Sequence, residues 1–207
     1  MKKRIVALIF SMILVVFFAG TSSADFRTAV YKQTLSGGGV PPMVMQVWLK
    51  GEQMRIDARP GGRLVITFRR KDGLYNYVKD QNVLTKVPDI KTEDAIKNPR
   101  DFMRYLDGLN LEPVGTEKIG EYECYIYKYT DSYNGFPTTA WIWKAKDFPV
   151  KIETITPAGP LQAVFSDIQL NVPVSNEIFD LPENARFVDM SDPWTGLKVQ
   201  KPGEKED

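Results

Sequence analysis

Any chemistry in this chain has to be done without histidine, since the 207 residues contain none, and with one cysteine, Cys124. The commonest general base and metal ligand is therefore missing, and Ser-His-Asp, Cys-His and His-zinc sites cannot be assembled. Carboxylate pairs remain. Glu121 with Glu123 and Asp101 with Asp107 place two acids at short spacing, yet glycoside hydrolysis needs two carboxyls facing across a cleft. These four read as strand-edge and helix-surface acids. Cys124 sits among aromatics in Tyr122-Glu123-Cys124-Tyr125-Ile126-Tyr127, the setting of a small buried hydrophobe rather than of a reactive thiolate. No Gly-x-Ser-x-Gly, P-loop or dinucleotide fingerprint occurs. The expectation is a non-enzyme without cofactor or metal.

The N-terminus decides where such a protein works. Lys2, Lys3 and Arg4 form a basic n-region, Ile5 to Phe18 an apolar h-region and Ser22-Ser23-Ala24 a small-residue cleavage site, the layout of a secretory signal peptide. The apolar run is about 14 residues, where a bilayer needs about 20. Cleavage after Ala24 is expected to leave a soluble exported, non-spanning protein beginning at Asp25. Acylation there would need a cysteine, and Cys124 lies far away. Removing 24 of 207 residues leaves 183, a single-domain length. Removing the three signal cations takes the net charge from +1 to −2, so no global field draws the chain to nucleic acid. The densest basic run, Phe68-Arg69-Arg70-Lys71, stands beside Asp72-Gly73 and reads as a solvated hairpin tip rather than an anionic-headgroup contact.

The elements that position these residues are short β-like runs cut by turn chemistry. Strand candidates are Phe26–Leu35, Met43–Lys50, Gln53–Ala58, Arg63–Arg69, Leu74–Val78, Val83–Val87, Glu112–Lys118, Glu121–Thr130, Thr138–Lys146, Val150–Thr156 and Leu161–Leu170. Between them fall Gly37-Gly38-Gly39, Lys50-Gly51-Glu52, Pro60-Gly61-Gly62, Lys71-Asp72-Gly73, Asn134-Gly135 and Ala158-Gly159, residues that supply positive φ and pre-set bends. Connections this short make successive strands antiparallel neighbours. The fold class is mainly β (α+β), about eleven strands with one helix. That helix is signalled by Asn98 as N-cap, Pro99 at the first helical position and Gly108 past the end. Phe102, Met103, Leu106 and Leu109 form its apolar stripe, which serves either as core packing or as a plug over a ligand cavity. Beyond residue 190 the chain lacks periodicity and reads as a flexible tail, from which Trp194 can dock on the sheet.

Strand faces differ along the chain. Met54, Ile56 and Ala58 alternate with Arg55, Asp57 and Arg59, one dry face and one wet. Tyr122 to Tyr129 and Thr139 to Lys144 carry large apolar groups on both faces, which implies strong curvature, a covered outer face or a binding surface.

Read in order, Val47-Trp48-Leu49-Lys50-Gly51, Met54-Arg55-Ile56-Asp57, Asp72-Gly73-Leu74-Tyr75-Asn76-Tyr77, Val83-Leu84-Thr85-Lys86-Val87, Gly120-Glu121-Tyr122-Glu123-Cys124, Trp141-Ile142-Trp143, Phe148-Pro149-Val150-Lys151 and Ile178-Phe179-Asp180-Leu181-Pro182 resemble the bacterial outer-membrane lipoprotein-sorting superfamily, LolA/LolB-like. The ordered set covers nearly the whole chain after Ala24, the LolA-like domain expected over residues 25–190. The resemblance implies a strongly curved antiparallel half-barrel with a helical lid or plug, enclosing an apolar cavity for acyl chains. Cargo-binding residues would be Met45, Val47, Leu49, Met54, Ile56, Leu64 and Ile66, then Phe102, Met103 and Leu106 on the helix, then Trp141, Trp143 and Phe165. It also implies a periplasmic lipid or lipoprotein carrier with an inner-membrane donor and an outer-membrane acceptor; the alternative is an envelope sensor of the same fold that regulates a partner. Family carriers have a lid-latching arginine directly after the Trp-x-Lys strand, where this chain has Gly51.

Overall fold

The computed structural model describes residues 26–87, 105, 106, 108–132 and 134–190. The expected signal peptide, the first part of the expected helix with Phe102 and Met103, and the tail with Trp194 lie outside them. The strands are β1 (Thr28–Gly37), β2 (Val40–Lys50), β3 (Gln53–Ala58), β4 (Val65–Arg70), β5 (Gly73–Val78), β6 (Val83–Val87), β7 (Gly115–Ile119), β8 (Tyr122–Thr130), β9 (Pro137–Trp143), β10 (Phe148–Thr156), β11 (Gly159–Leu170) and β12 (Arg186–Asp189). They form one open sheet in the order β12-β6-β5-β4-β3-β2-β1-β11-β10-β9-β8-β7. Among the described residues no helix is long and apolar enough to cross a membrane.

Eleven of these strands are the expected ones, nine of them with shifted ends, and the twelfth departs from expectation. β12 runs parallel to β6, with Arg186 opposite Val83 and Asp189 opposite Lys86. A parallel partner cannot arrive by a tight turn. The chain reaches it through a 3-10 turn at Asn176–Phe179, whose first N–H groups are served by the Ser175 hydroxyl accepting from Glu177 N at 3.3 Å.

The described residues divide into two compact units, one from residues 26, 33–42 and 105–166, the other from 27–32, 43–87 and 167–190. In the second unit β3 to β6 form a regular antiparallel ladder, with Ile56 opposite Thr67, Thr67 opposite Asn76 and Asn76 opposite Thr85. Because directly opposed residues share a face, Ile66, Phe68, Tyr75 and Leu84 fall together on the other side. There they make a core with Ala185, flanked by Leu64, Tyr77, Leu181 and Phe187. The closing Ile178-Phe179-Asp180-Leu181-Pro182 segment thus covers one face of this unit.

In the first unit Tyr127, Ala140 and Ile152 oppose one another in turn across β8, β9 and β10, and Ile152 opposes Ala163 of β11. Ala140, Ile142 and Ala163 are buried on that face. β10 carries a register shift between Pro149 and Lys151. Pro149 has no N–H to give the ladder, so the chain bulges where it stands.

Candidate functional site

The five expected cargo residues of β2 and β3 come together. Val47 opposes Ile56, Leu49 opposes Met54, and Met45 opposes Ala58; all six are buried. At β4 the middle of that stripe turns polar, while Val65 continues it beside Ala58 and buried Leu74 follows beyond Arg69. Thr67, beside Ile56, donates its hydroxyl to Asn76 Oδ1 at 2.8 Å, and Arg69 stands beside Met54. One face of this unit is thus a buried layer of methionine and branched aliphatics with a row of hydrogen-bonding groups, Thr67 and Asn76, set into it.

Leu64 and Ile66 do not join that stripe. Ile66 opposes Asp57, so it lies on the reverse side, packed with Phe68 and Tyr75 under the C-terminal segment, with Leu64 against the same cluster. Both are spoken for by protein. The reason is parity: apolar groups occupy both faces of β4, as Val65 and Ile66 show, and alternation does not say which set is inward.

The reverse side is held by cations. Arg55 makes a two-pronged contact to Asp57, at 2.6 and 2.9 Å, and donates from Nη1 to Ile178 O at 3.2 Å. Its guanidinium also lies 5.4 Å from the Trp48 ring centroid and 5.7 Å from that of Phe68. Lys50 Nζ donates to Val174 O at 2.7 Å and Arg70 Nη1 to Phe179 O at 3.1 Å. Basic groups from three strands thus hold the carbonyls of residues 174–179 as a clasp. The wet-face alternation of Arg55 and Asp57 is the sequence signal for it, and the partner in the closing segment is not readable from that signal. Gly51, at the place of the family's latch arginine, sits exposed in the β2–β3 turn with φ +59°. Its left-handed conformation accounts for glycine there.

Lys50, Glu52, Gln53, Arg70, Lys71 and Asp72 line an open hollow of about 590 Å³ at the neighbouring turns. Its charges are of both signs and engage each other: Arg70 Nε lies 3.3 Å from Asp72 Oδ1, and the Tyr75 hydroxyl donates to Asp72 Oδ2 at 3.0 Å. Burial alone would raise the Asp72 pKa, but the Tyr75 hydroxyl, Asp72's own backbone N–H and Arg70 together hold it below its ordinary 3.8. The same pair, with partial burial leading, pushes Tyr75 up.

In the first unit Leu106 is fully buried in a helical turn. The adjacent Tyr105 meets Tyr129 edge-on with centroids 5.8 Å apart, and its hydroxyl lies 3.5 Å from Ser132 Oγ. Burial, followed by Tyr105 and Asp131, pushes Tyr129 well above the ordinary tyrosine range. Tyr129 alternates with Tyr127, so the turn packs on the face that carries Ala140 and Ile142. Phe165, two residues beyond Ala163, shares this face and touches Phe148 at 6.1 Å. Trp141 and Trp143 do not. Trp141 opposes Lys151, which opposes Val164, placing it on the reverse side; its indole N–H donates to Glu117 at 2.6 Å and Lys151 Nζ lies 4.3 Å over its ring. Trp143 packs edge-on against Tyr122 at 4.8 Å, opposite buried Cys124. The two indoles belong to an outer aromatic layer. Cys124 is pushed up, first by burial, and the described residues contain no group of three or more His, Cys, Asp or Glu side chains that could hold a metal.

No protein-family model matches the chain, and neither does any curated protein sequence. Solved structures do. A conserved protein from Thermus thermophilus matches 86% of this chain over 98% of its own length, at 12% identity and TM-score 0.59. The complex of MucA and MucB from Pseudomonas aeruginosa matches 79% of this chain at 10% identity and TM-score 0.51, and the match spans 59% of that chain. A LolA superfamily protein from Nitrosomonas europaea is also among the similar structures, at 11% identity and TM-score 0.36, over 78% of this chain and 92% of that one. At these identities the likeness is one of fold.

Proposed function

We propose that this is an exported, non-enzymatic protein that binds acyl chains of lipids or lipoproteins in the bacterial periplasm and carries them toward the outer membrane. The observation that carries the reading is the stripe Met45, Val47, Leu49, Met54 and Ile56, uncharged hydrocarbon gathered on one face of β2 and β3. About ten methylenes buried on such a surface contribute roughly 8 kcal/mol before ordering is subtracted, which brings micromolar binding within reach without a charged site. In the other unit Phe165 and Leu106 are buried. Export rests on the basic, apolar and small-residue segments of Met1 to Ala24, so the intact mass of the periplasmic protein should match residues 25–207 without an added acyl group.

The test is a fluorescent fatty acid titrated into the periplasmic protein, with mass spectrometry of whatever lipid is extracted from it. Saturable binding is expected. Met54→Ala should weaken it about three- to tenfold, while Leu84→Ala, on the reverse face, should lower stability by about 2–5 kcal/mol and leave probe affinity unchanged. Absence of both saturable binding and extracted lipid overturns the proposal.

A second reading is a sensor of the same fold that regulates a protein partner. It is supported by the MucA/MucB complex, a two-protein assembly among the similar structures. A carrier gives up its lipid to an acceptor, whereas a sensor changes its affinity for a partner when loaded.

A further inference from the structure

The first unit is polarised from end to end. Alternating antiparallel strands put the β1–β2, β8–β9 and β10–β11 turns at one end and the β7–β8 and β9–β10 turns at the other. The latter carry Lys118, Glu121, Lys144, Lys146 and Asp147. At the former, residues 33–42 and 154–166 contain no Asp, Glu, Lys or Arg in a chain that is 26% charged, and the one charged residue among 131–136 is Asp131, which is buried. This end is neutral because its sequence avoids charge, not because ion pairs cancel.

Two of its tips touch. Gly38 N donates to Pro160 O at 2.8 Å, and a Cβ on Gly39 would lie 3.5 Å from that of Ala158. Pro41, Pro42, Pro157, Ala158 and Pro160 are exposed, and Ile155 is 46% exposed. The tips also have little backbone polarity left to desolvate. Four of these residues are prolines with no N–H, the Ala158 N–H is taken by Thr156 Oγ1 at 3.2 Å, and that hydroxyl donates to Gly159 O at 2.8 Å. Polar groups satisfied within the turn are what contact with hydrocarbon demands. Protein partners are usually gripped by Trp, Tyr or Arg anchors inside a polar rim, and Val40 to Pro42 and Ile155 to Pro160 contain none of these.

We propose that this neutral end docks on the surface of a phospholipid bilayer, with the β1–β2 and β10–β11 tips entering the headgroup boundary. The inference rests on the acyl-chain reading above, because a carrier has to meet a membrane to load or unload.

Flotation of the periplasmic protein with phosphatidylcholine vesicles at low and high salt tests it. Binding is expected at both salt levels, because it is apolar. The double variant Ile155→Asp with Ala158→Asp, and separately Pro42→Asp, should each lower vesicle partitioning by about tenfold or more, with melting temperatures unchanged because all three side chains are exposed. Lys146→Ala, at the charged end, should bind as the parent does. No flotation, or flotation that the folded variants leave unchanged, overturns the proposal. Binding confined to anionic vesicles and lost in salt also overturns it and assigns membrane contact to Arg69-Arg70-Lys71. Titrating the same proteins with the fatty acid in solution separates the two readings: probe binding without flotation removes the docking end alone, and flotation without probe binding removes the carrier alone.

Discussion

At the residue scale the clearest division of labour is on β3, where Met54 and Ile56 face one way and Arg55 and Asp57 the other. Arg55 is the centre of the clasp, since its guanidinium serves a carboxylate, a carbonyl and two aromatic faces at once. A lysine keeps the charge but gives up the planar fork and the stacking. Arg55→Lys should therefore destabilise by about 1–2 kcal/mol, and Arg55→Met by about 2–4 kcal/mol, because it leaves the half-buried Asp57 without its partner. Chemical denaturation reads both. Equal losses for the two would mean that charge, not geometry, holds the segment. Alternation alone places Arg55 on the face opposite Met54 and Ile56, but that face is covered by the closing segment rather than wet. What it reaches there is not legible, because Ile178 lies more than a hundred positions away and a carbonyl acceptor leaves no mark in a sequence.

At the scale of elements, turns and periodicity make eleven strands legible, since each pairs with its neighbour through a short connection. β12 escapes for two physical reasons. Arg186-Phe187-Val188-Asp189 is too short to show a period, and its parallel partner β6 is remote in sequence. Two turn glycines give a contrast that tests the local reading. Gly37 has φ +85°, and a Cβ there would lie 2.0 Å from Pro160 O; Gly51 has φ +59° and open space around it. Gly51→Ala should carry only the left-handed strain, about 1 kcal/mol. Gly37→Ala should lose about 2 kcal/mol or more, because backbone must also move. Similar melting temperatures for the two variants would show that the β1–β2 tip is not held against β11. The helix supplies a further test. Leu106 is fully buried, so Leu106→Ala should lose about 2–5 kcal/mol as a core position. A change in fatty-acid affinity at constant stability would instead make that turn a plug.

At the scale of the whole molecule, the chain lacks any histidine, and the groups whose acidity the fold shifts move away from neutrality. Asp72 is lowered, while Tyr31, Tyr75, Tyr129 and Cys124 are raised. Each direction fixes a limb of the stability profile. Asp72, lowered in the fold, contributes stability that is present above its ordinary 3.8 and lost as pH falls through its folded value. Tyr31 and Tyr129 are kept neutral chiefly by burial, so their contribution is fully present below their ordinary 10.0 and lost as pH rises beyond it. Between the limbs no shifted group among the described residues titrates. Melting temperature should therefore be level from about pH 6 to 8 and fall above about pH 10. Absorbance of ionised tyrosine should rise in two stages, exposed rings first and the buried pair only as the protein unfolds. Tyr129→Phe removes one buried hydroxyl while keeping the ring that meets Tyr105, and should make the alkaline limb shallower without altering the plateau. A transition inside the plateau would point to a titrating group that burial and neighbouring charge do not account for. Fatty-acid affinity, if it depends on the uncharged stripe of β2 and β3, should follow the same plateau.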